Sequence, residues 1–198
     1  MSKKFVSDVD IDFGDRANIL NIIKHTPASI STATGIRKHN SGIYVTDIPY
    51  NPEHNVASIN YEVAENRGYV KLDMLNVWLY KLVRDEMHLV ELMRDPVWSK
   101  LEDREYVKKL IQIGGHYETI SKLKEPIDSI PRLSMFISAI RPGKYHLIGK
   151  SWKEMSQTIW EKDENEGYIF RKSHAIAYAH LIAIHMNLLV ENPSAFQN

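Results

Sequence analysis

Residues 7–13 alternate strictly between polar and apolar positions, Ser7-Asp8-Val9-Asp10-Ile11-Asp12-Phe13. Period-two alternation predicts a β-strand with one buried face. Val9, Ile11 and Phe13 would face a core, and Asp8, Asp10 and Asp12 would line up on the other side. Asp15 suits the N-cap of a short helix with an apolar stripe of Ile19, Ile22 and Ile23. Residues 25–41 are polar and rich in Thr, Ser and Gly, which reads as a loop. Three strands follow at 42–48, 56–61 and 68–73. Pro49, Asn51 and Pro52 separate the first two, and Asn66-Arg67-Gly68 precedes the third.

From Met74 the period turns helical. Leu75, Leu79, Leu82 and Val83 recur at helix spacing, and Pro96 ends the run. A second helix at 106–113 stops at Gly114-Gly115, and a short third turns Tyr117, Ile120 and Leu123 inward. Pro131 suits the first turn of a helix running to Ile140. Ser151-Trp152-Lys153-Glu154 is a capping box that opens the next. Ser173 can cap the last helix, which is apolar nearly all round, as a centrally buried helix is, and stops at Asn192-Pro193. The order of elements gives an α+β chain, a small sheet followed by a helical second half. The expected parts are 1–95, the sheet with its helices, and 96–198, a helical region packed on it.

Composition narrows the chemistry. Lys+Arg and Asp+Glu are both 25, so the chain lacks the global basic footprint of a tight nucleic-acid binder, while a local patch stays open. With no cysteine, disulfides and thiolate metal sites are excluded. Met1-Ser2-Lys3-Lys4 leads straight into the alternating strand, without the apolar run of a signal peptide. The apolar C-terminal stretch carries His180, His185 and Asn187, which argues against a membrane span. A reducing, cytoplasmic setting is expected.

The aspartate row is the chemical signal. Same-face residues on a strand sit ~6.6 Å apart, and two divalent cations ~4 Å apart fit between such carboxylates. Like charges this close repel, so the row is costly without a cation or protons. An EF-hand loop also starts with alternating Asp, but wants Gly in sixth place and Glu in twelfth. Counted from Asp8, those places hold Phe13 and Ile19. A plain solvated strand face is the remaining alternative. A zinc site built from the nine histidines is disfavoured, because His174, His180 and His185 lack the i, i+4 spacing of a helical zinc pair.

Several segments, read in order, resemble the C family of bacterial replicative DNA polymerases, the alpha subunit of DNA polymerase III. Residues 7–13 resemble that family's Pro-Asp-x-Asp-x-Asp-Phe palm strand. Lys38-His39-Asn40-Ser41-Gly42-Ile43-Tyr44-Val45 is similar to Lys-His-Ala-Gly-Gly-Val-Val-Ile. Gly68-Tyr69-Val70-Lys71-Leu72-Asp73-Met74-Leu75 resembles Gly-Leu-Val-Lys-Phe-Asp-Phe-Leu. Arg141-Pro142-Gly143 and then residues 167–179, with Lys172-Ser173-His174 at their centre, match Arg-Pro-Gly and Gly-Tyr-Gly-Phe-Asn-Lys-Ser-His-Ala-Ala-Ala-Tyr-Ala. The tail Asn192-Pro193-Ser194-Ala195-Phe196 is similar to Tyr-Pro-Ala-Glu-Phe.

The resemblance implies a small mixed sheet of the polymerase-β-like nucleotidyltransferase palm type. It implies Asp8, Asp10 and Asp73 as catalytic ligands of Mg²⁺ or Mn²⁺. Lys71 would lie over nucleotide phosphates, and His39, Arg141, Lys172, Ser173 and His174 would line the substrate. Asp12 matches a position that is not a ligand throughout the family. Elements of the family are missing, among them a Gly-Ser loop that cradles the triphosphate upstream of the first strand and a basic Arg-Arg-x-Met-Gly-Lys-Lys segment between Arg141 and Lys172. The expected function is a minimal two-metal nucleotidyltransferase acting on nucleic-acid ends, DNA rather than RNA, with a nucleoside triphosphate. It could also be one part of a split polymerase whose partner protein supplies the missing elements. The alternative is a non-catalytic, polymerase-derived scaffold that binds DNA or a replication protein.

Overall fold

A computed structural model describes residues 9–161 and 170–196. The chain divides into two compact units, Met1–Leu82 and Val83–Asn198. The first contains β1 (Val9–Phe13), α1 (Arg16–Leu20), β2 (Thr26–Thr32), β3 (Gly35–Tyr44), β4 (Tyr50–Asn51), β5 (Val56–Ala57), α2 (Tyr61–Asn66) and β6 (Leu72–Asn76), then a 3₁₀ turn at Trp78–Leu82. Four strands form one mixed sheet in the order β1-β6-β3-β2, and β4-β5 form a small separate ribbon. β1 runs parallel to β6, whereas β3 is antiparallel to both β6 and β2. This is the expected α+β class with a small mixed sheet.

The alternation of residues 9–13 survives in muted form. Ile11 and Phe13 are half-buried, Asp10 and Asp12 are exposed, and Val9 is exposed as well. Asp15 caps α1 through the Ala17 N–H, but the helix ends at Leu20, so Ile22 lies exposed instead of completing a stripe.

The expected loop at 25–41 is instead a long hairpin, β2 and β3. Its outer half is exposed on both faces, so apolar residues do not alternate there and composition mimics a loop. The β-branched Thr26, Ile30, Thr32 and Ile36 carry the strand preference. The turn closes with Gly35 at φ 127° and the Thr32 hydroxyl donating to the Gly35 carbonyl at 2.8 Å.

Further expectations change, among them the helix expected at 106–113, where the helix ends at Val107 and turns follow. Residues 56–61 form a two-residue strand followed by a helix, since Asn60 caps α2 through the Glu62 N–H. The run from Met74 begins as strand β6 and continues as a 3₁₀ turn; helix resumes only at α3 (Glu86–Leu92), capped by Asp85. Leu75 and Leu79 share helix spacing but lie on different elements.

The second unit is helical. After α3 come a 3₁₀ turn at Trp98–Glu102, α4 (Arg104–Val107), α5 (Tyr117–Ile120), α6 (Ile130–Ala139), α7 (Trp152–Thr158) and α8 (Lys172–Glu191). Pro131 sits in the first turn of α6, and Ser151 and Glu154 form the full capping box of α7. Residues 83–95, grouped with the sheet in the sequence reading, belong here because α3 is bonded to α8. His88 Nε2 lies 2.7 Å from Glu191, and the Asn187 amide donates to the carbonyls of Leu92 and Arg94. α6 and α8 form the core, with Leu133, Phe136, Ile137, Ile182 and Met186 buried. α8 has the length and apolar character a membrane span needs, yet 56% of its most apolar window is buried inside the fold, as in a core helix.

Candidate functional site

The site grows from the register of the sheet. Across the parallel pair β1–β6, Asp10 is opposite Asp73. Across the antiparallel pair β3–β6, Gly42 is opposite Asp73. Register partners point to the same face, so both carboxylates project from one side of the sheet with a gap at Gly42 beside them. Lys71, two residues before Asp73, shares that side.

Asp73 is 8% exposed and fully engaged. Its Oδ1 accepts from the Ser41 hydroxyl at 2.7 Å, and its Oδ2 is held by the Lys71 ammonium. Burial alone would push the carboxyl up. The hydrogen bonds from Lys71 and Ser41, with the charge of Lys71, outweigh it and hold Asp73 below its ordinary value of 3.8.

Gly42 is what lets Lys71 reach. A Cβ there would lie 2.8 Å from Lys71 Cδ and 3.0 Å from His39 Nδ1. His39 Nδ1 in turn accepts the backbone N–H groups of Gly42 at 2.9 Å and Ser41 at 3.3 Å. An accepting Nδ1 places the ring proton on Nε2. His39 Nδ1 is 3.7 Å from Asp73 Oδ1, beyond hydrogen-bond length.

Tyr61 closes one side, edge-on to His39 at 5.3 Å and with Lys71 Nζ 5.7 Å over its ring. Tyr44, two positions along β3 from Gly42, is buried, and its hydroxyl has no hydrogen-bond partner among the described residues. Burial, then the charges of Glu65 and Asp73, push it up to about 12. Asp12 lies beside Asp10 on the exposed row; partial burial of its carboxyl and then the Asp10 charge raise it.

Sequence reasoning passed over two positioning groups. The Arg16 guanidinium donates to the carbonyls of Asn40 at 2.7 Å and Met74 at 2.9 Å, while its backbone N–H donates to Asn76 Oδ1 at 2.8 Å. It thereby ties Asn40 of β3 to Met74 and Asn76 of β6, next to Asp73. Ser41 lies within residues 38–45, but nothing in its spacing marks its hydroxyl as a donor to a carboxylate. No local pattern identifies Arg16.

Of the expected site residues, Asp10, Asp73, Lys71 and His39 come together in the first unit. Asp8 and residues 167–169 lie outside the described residues. Arg141, Lys172, Ser173 and His174 belong to the second unit. There the Arg141 guanidinium lies 4.8 Å over the Phe170 ring and donates to Gln112 Oε1 at 2.9 Å. The His174 ring is 6.4 Å from Phe170, which stacks on Tyr178. Lys172 Nζ is 5.7 Å from the Trp160 ring. Ser173 does not cap α8: the N-cap position is Arg171, and no side chain caps it.

Among the described residues, no group of three His, Asp or Glu side chains gathers in a way that could hold a metal ion. Asp10 and Asp73 offer two hard oxygen donors on one face, and Mg²⁺ commonly takes one or two carboxylates and completes its shell with water. The donor chemistry therefore fits that ion, with Lys71 already holding one of the two carboxylates. No family model, no curated protein and no solved structure matches the chain.

Proposed function

We propose that this chain belongs to a nucleotidyltransferase of the C-family DNA polymerase type and carries a palm of the polymerase-β-like kind and a helical, fingers-derived region. It acts on DNA ends with a nucleoside triphosphate and Mg²⁺ or Mn²⁺, alone or with a partner protein. The observation that carries this reading is the register of Asp10 against Asp73, with Lys71 on the same face. The motif order in the sequence supports it, since Asp10, Lys71 and Asp73 are the positions that match.

Asp10 and Asp73, together with Asp8, would hold the divalent ions. Such ions, when bound, lower the pKa of an attacking hydroxyl and stabilise the displacement at phosphorus. Lys71 has a second task here: released from Asp73, its ammonium is placed to offset charge that develops on phosphate oxygens. Arg16 and Ser41 keep β6 and the Asp73 carboxylate oriented. In the second unit, Arg141 and Lys172 offer cations that suit the phosphates of a nucleic-acid strand.

One observation favours the scaffold reading instead. Lys71 and Ser41 already satisfy Asp73, so this carboxylate needs no metal to offset its burial. Single-nucleotide addition to a labelled primer–template with Mn²⁺ separates the two. The enzyme reading predicts slow, non-processive addition, lost in Asp10→Asn and in Asp73→Asn. Retained primer binding without product, whatever the metal and with every candidate partner protein, would establish the scaffold.

A further inference from the structure

The second unit carries a groove that the proposed chemistry does not use. It has a volume of about 410 Å³ and lies between the 3₁₀ turn at Trp98–Glu102, α4 and the end of α8. Its apolar wall is Val97, Tyr106, Val190 and Pro193 above the buried Leu189. Val97 and Val190 are 55% and 57% exposed, high for branched apolar side chains in a protein with a well-filled core nearby. Tyr106 is a fixed wall, because its hydroxyl donates to the Met186 carbonyl at 3.0 Å.

The groove's charge has one sign. Lys100 and Lys109 stand on its lining and no carboxylate does. Carboxylates next in sequence are engaged elsewhere, Glu105 by Lys108 and Glu191 by Arg84 and His88. Among the described residues neither Lys100 nor Lys109 has an ion-pair partner; Lys100 instead lies 5.8 Å over the Tyr106 ring. An apolar trough flanked by two such cations complements a peptide that offers an apolar side chain between carboxylates. A volume of this size accepts one or two side chains.

We propose that this groove is a docking site for a short acidic peptide segment of a partner protein, an apolar residue seated against Tyr106 and Val190, flanking carboxylates on Lys100 and Lys109. The wall is mostly aliphatic, which favours a peptide over a nucleic-acid strand, whose bases would need aromatic platforms.

The test is fluorescence anisotropy with the full chain and labelled Asp-Glu-Leu-Phe-Glu-Asp. Saturable binding below about 1 mM, the weak end of specific recognition, is expected. The neutral peptide Asn-Gln-Leu-Phe-Gln-Asn, and separately the Lys100→Glu/Lys109→Glu variant, should each weaken it at least about tenfold. Val190→Asp should do the same, and Lys24→Glu, in the first unit, should not. The lysines are exposed, so their reversal leaves folding intact, which circular dichroism checks. Equal affinity for the neutral peptide, indifference to the charge reversals, or no saturation would overturn the proposal. So would full displacement by oligo-dT at matched charge, which would assign the groove to nucleic acid. A concentration-dependent dimer abolished by Val190→Asp would assign it to a second copy of this chain, and equally overturn it.

Discussion

Asp10 and Asp73 stand directly opposite each other on adjacent parallel strands, one exposed and the other buried in a hydrogen-bonded ion pair with Lys71. Asp73 is neutralised within the protein by Lys71, and Asp10 and its neighbour Asp12 project from the same face at its side.

Lys71→Ala leaves Asp73 buried without its cation. Losing one partner of a buried pair costs about 3–5 kcal/mol. The folded Asp73 carboxyl is depressed, so its stabilising contribution is present above the unfolded value of 3.8 and is lost as pH falls through the folded value. Urea unfolding should therefore show a large gap between wild type and variant at pH 7 that closes as pH falls below 3.8 and through the folded value. A gap independent of pH would mean that Lys71 acts through packing of its stem.

Gly42→Ala places a methyl group against Lys71 Cδ and His39 Nδ1. Either Lys71 disengages from Asp73 or the strand shifts, with an expected loss of about 1–3 kcal/mol. Carbon-13 titration of the Asp73 carboxyl should show its pKa rising in the variant. An unmoved pKa would show that the strand, not the lysine, gives way.

Asp12→Asn removes a carboxyl that its surroundings raise. A raised carboxylate is a liability when ionised, so the variant should melt higher than wild type at pH 7. The difference should vanish at pH 3, where the wild-type carboxyl is protonated. A variant that melts lower at pH 7 would mean that Asp12 makes a stabilising bond as the anion.

His185, buried in α8, is pushed down to about 4 by its burial, from an ordinary 6.5. Its neutral form accepts the Ile111 N–H at 3.1 Å. A depressed histidine gives stability that is complete above about pH 6.5 and declines as pH falls toward 4. At about 1.4 kcal/mol per unit, the loss across that window is about 3 kcal/mol. Unfolding free energy measured from pH 7 to 4 should fall accordingly, and His185→Gln should flatten the slope.

The sequence announces those elements whose local chemistry and tertiary role agree. Asp10 and Ile11 alternate because one side of β1 is more buried, Pro131 opens α6, and Ser151 with Glu154 caps α7. It misleads where tertiary context decides. Thr32 to Ile36 read as loop because a hairpin exposed on both faces needs no apolar row. Leu75 and Leu79 read as one helix because strand and 3₁₀ turn happen to share its spacing. In the site, Asp10, Lys71 and Asp73 are legible from pattern and motif. Arg16 and Ser41 are not, because their roles are set by the strand order β1-β6-β3, which no local signal contains.

The central claim is that Asp10 and Asp73 together hold a divalent cation. Its most direct test is Mn²⁺ titration followed by electron paramagnetic resonance, on wild type, Asp10→Asn and Lys71→Ala. The account predicts saturable binding in wild type, at least about tenfold weaker in Asp10→Asn, and tighter in Lys71→Ala, where Asp73 is freed of its internal cation. Affinity for Mn²⁺ that is the same in wild type and Asp10→Asn would contradict it.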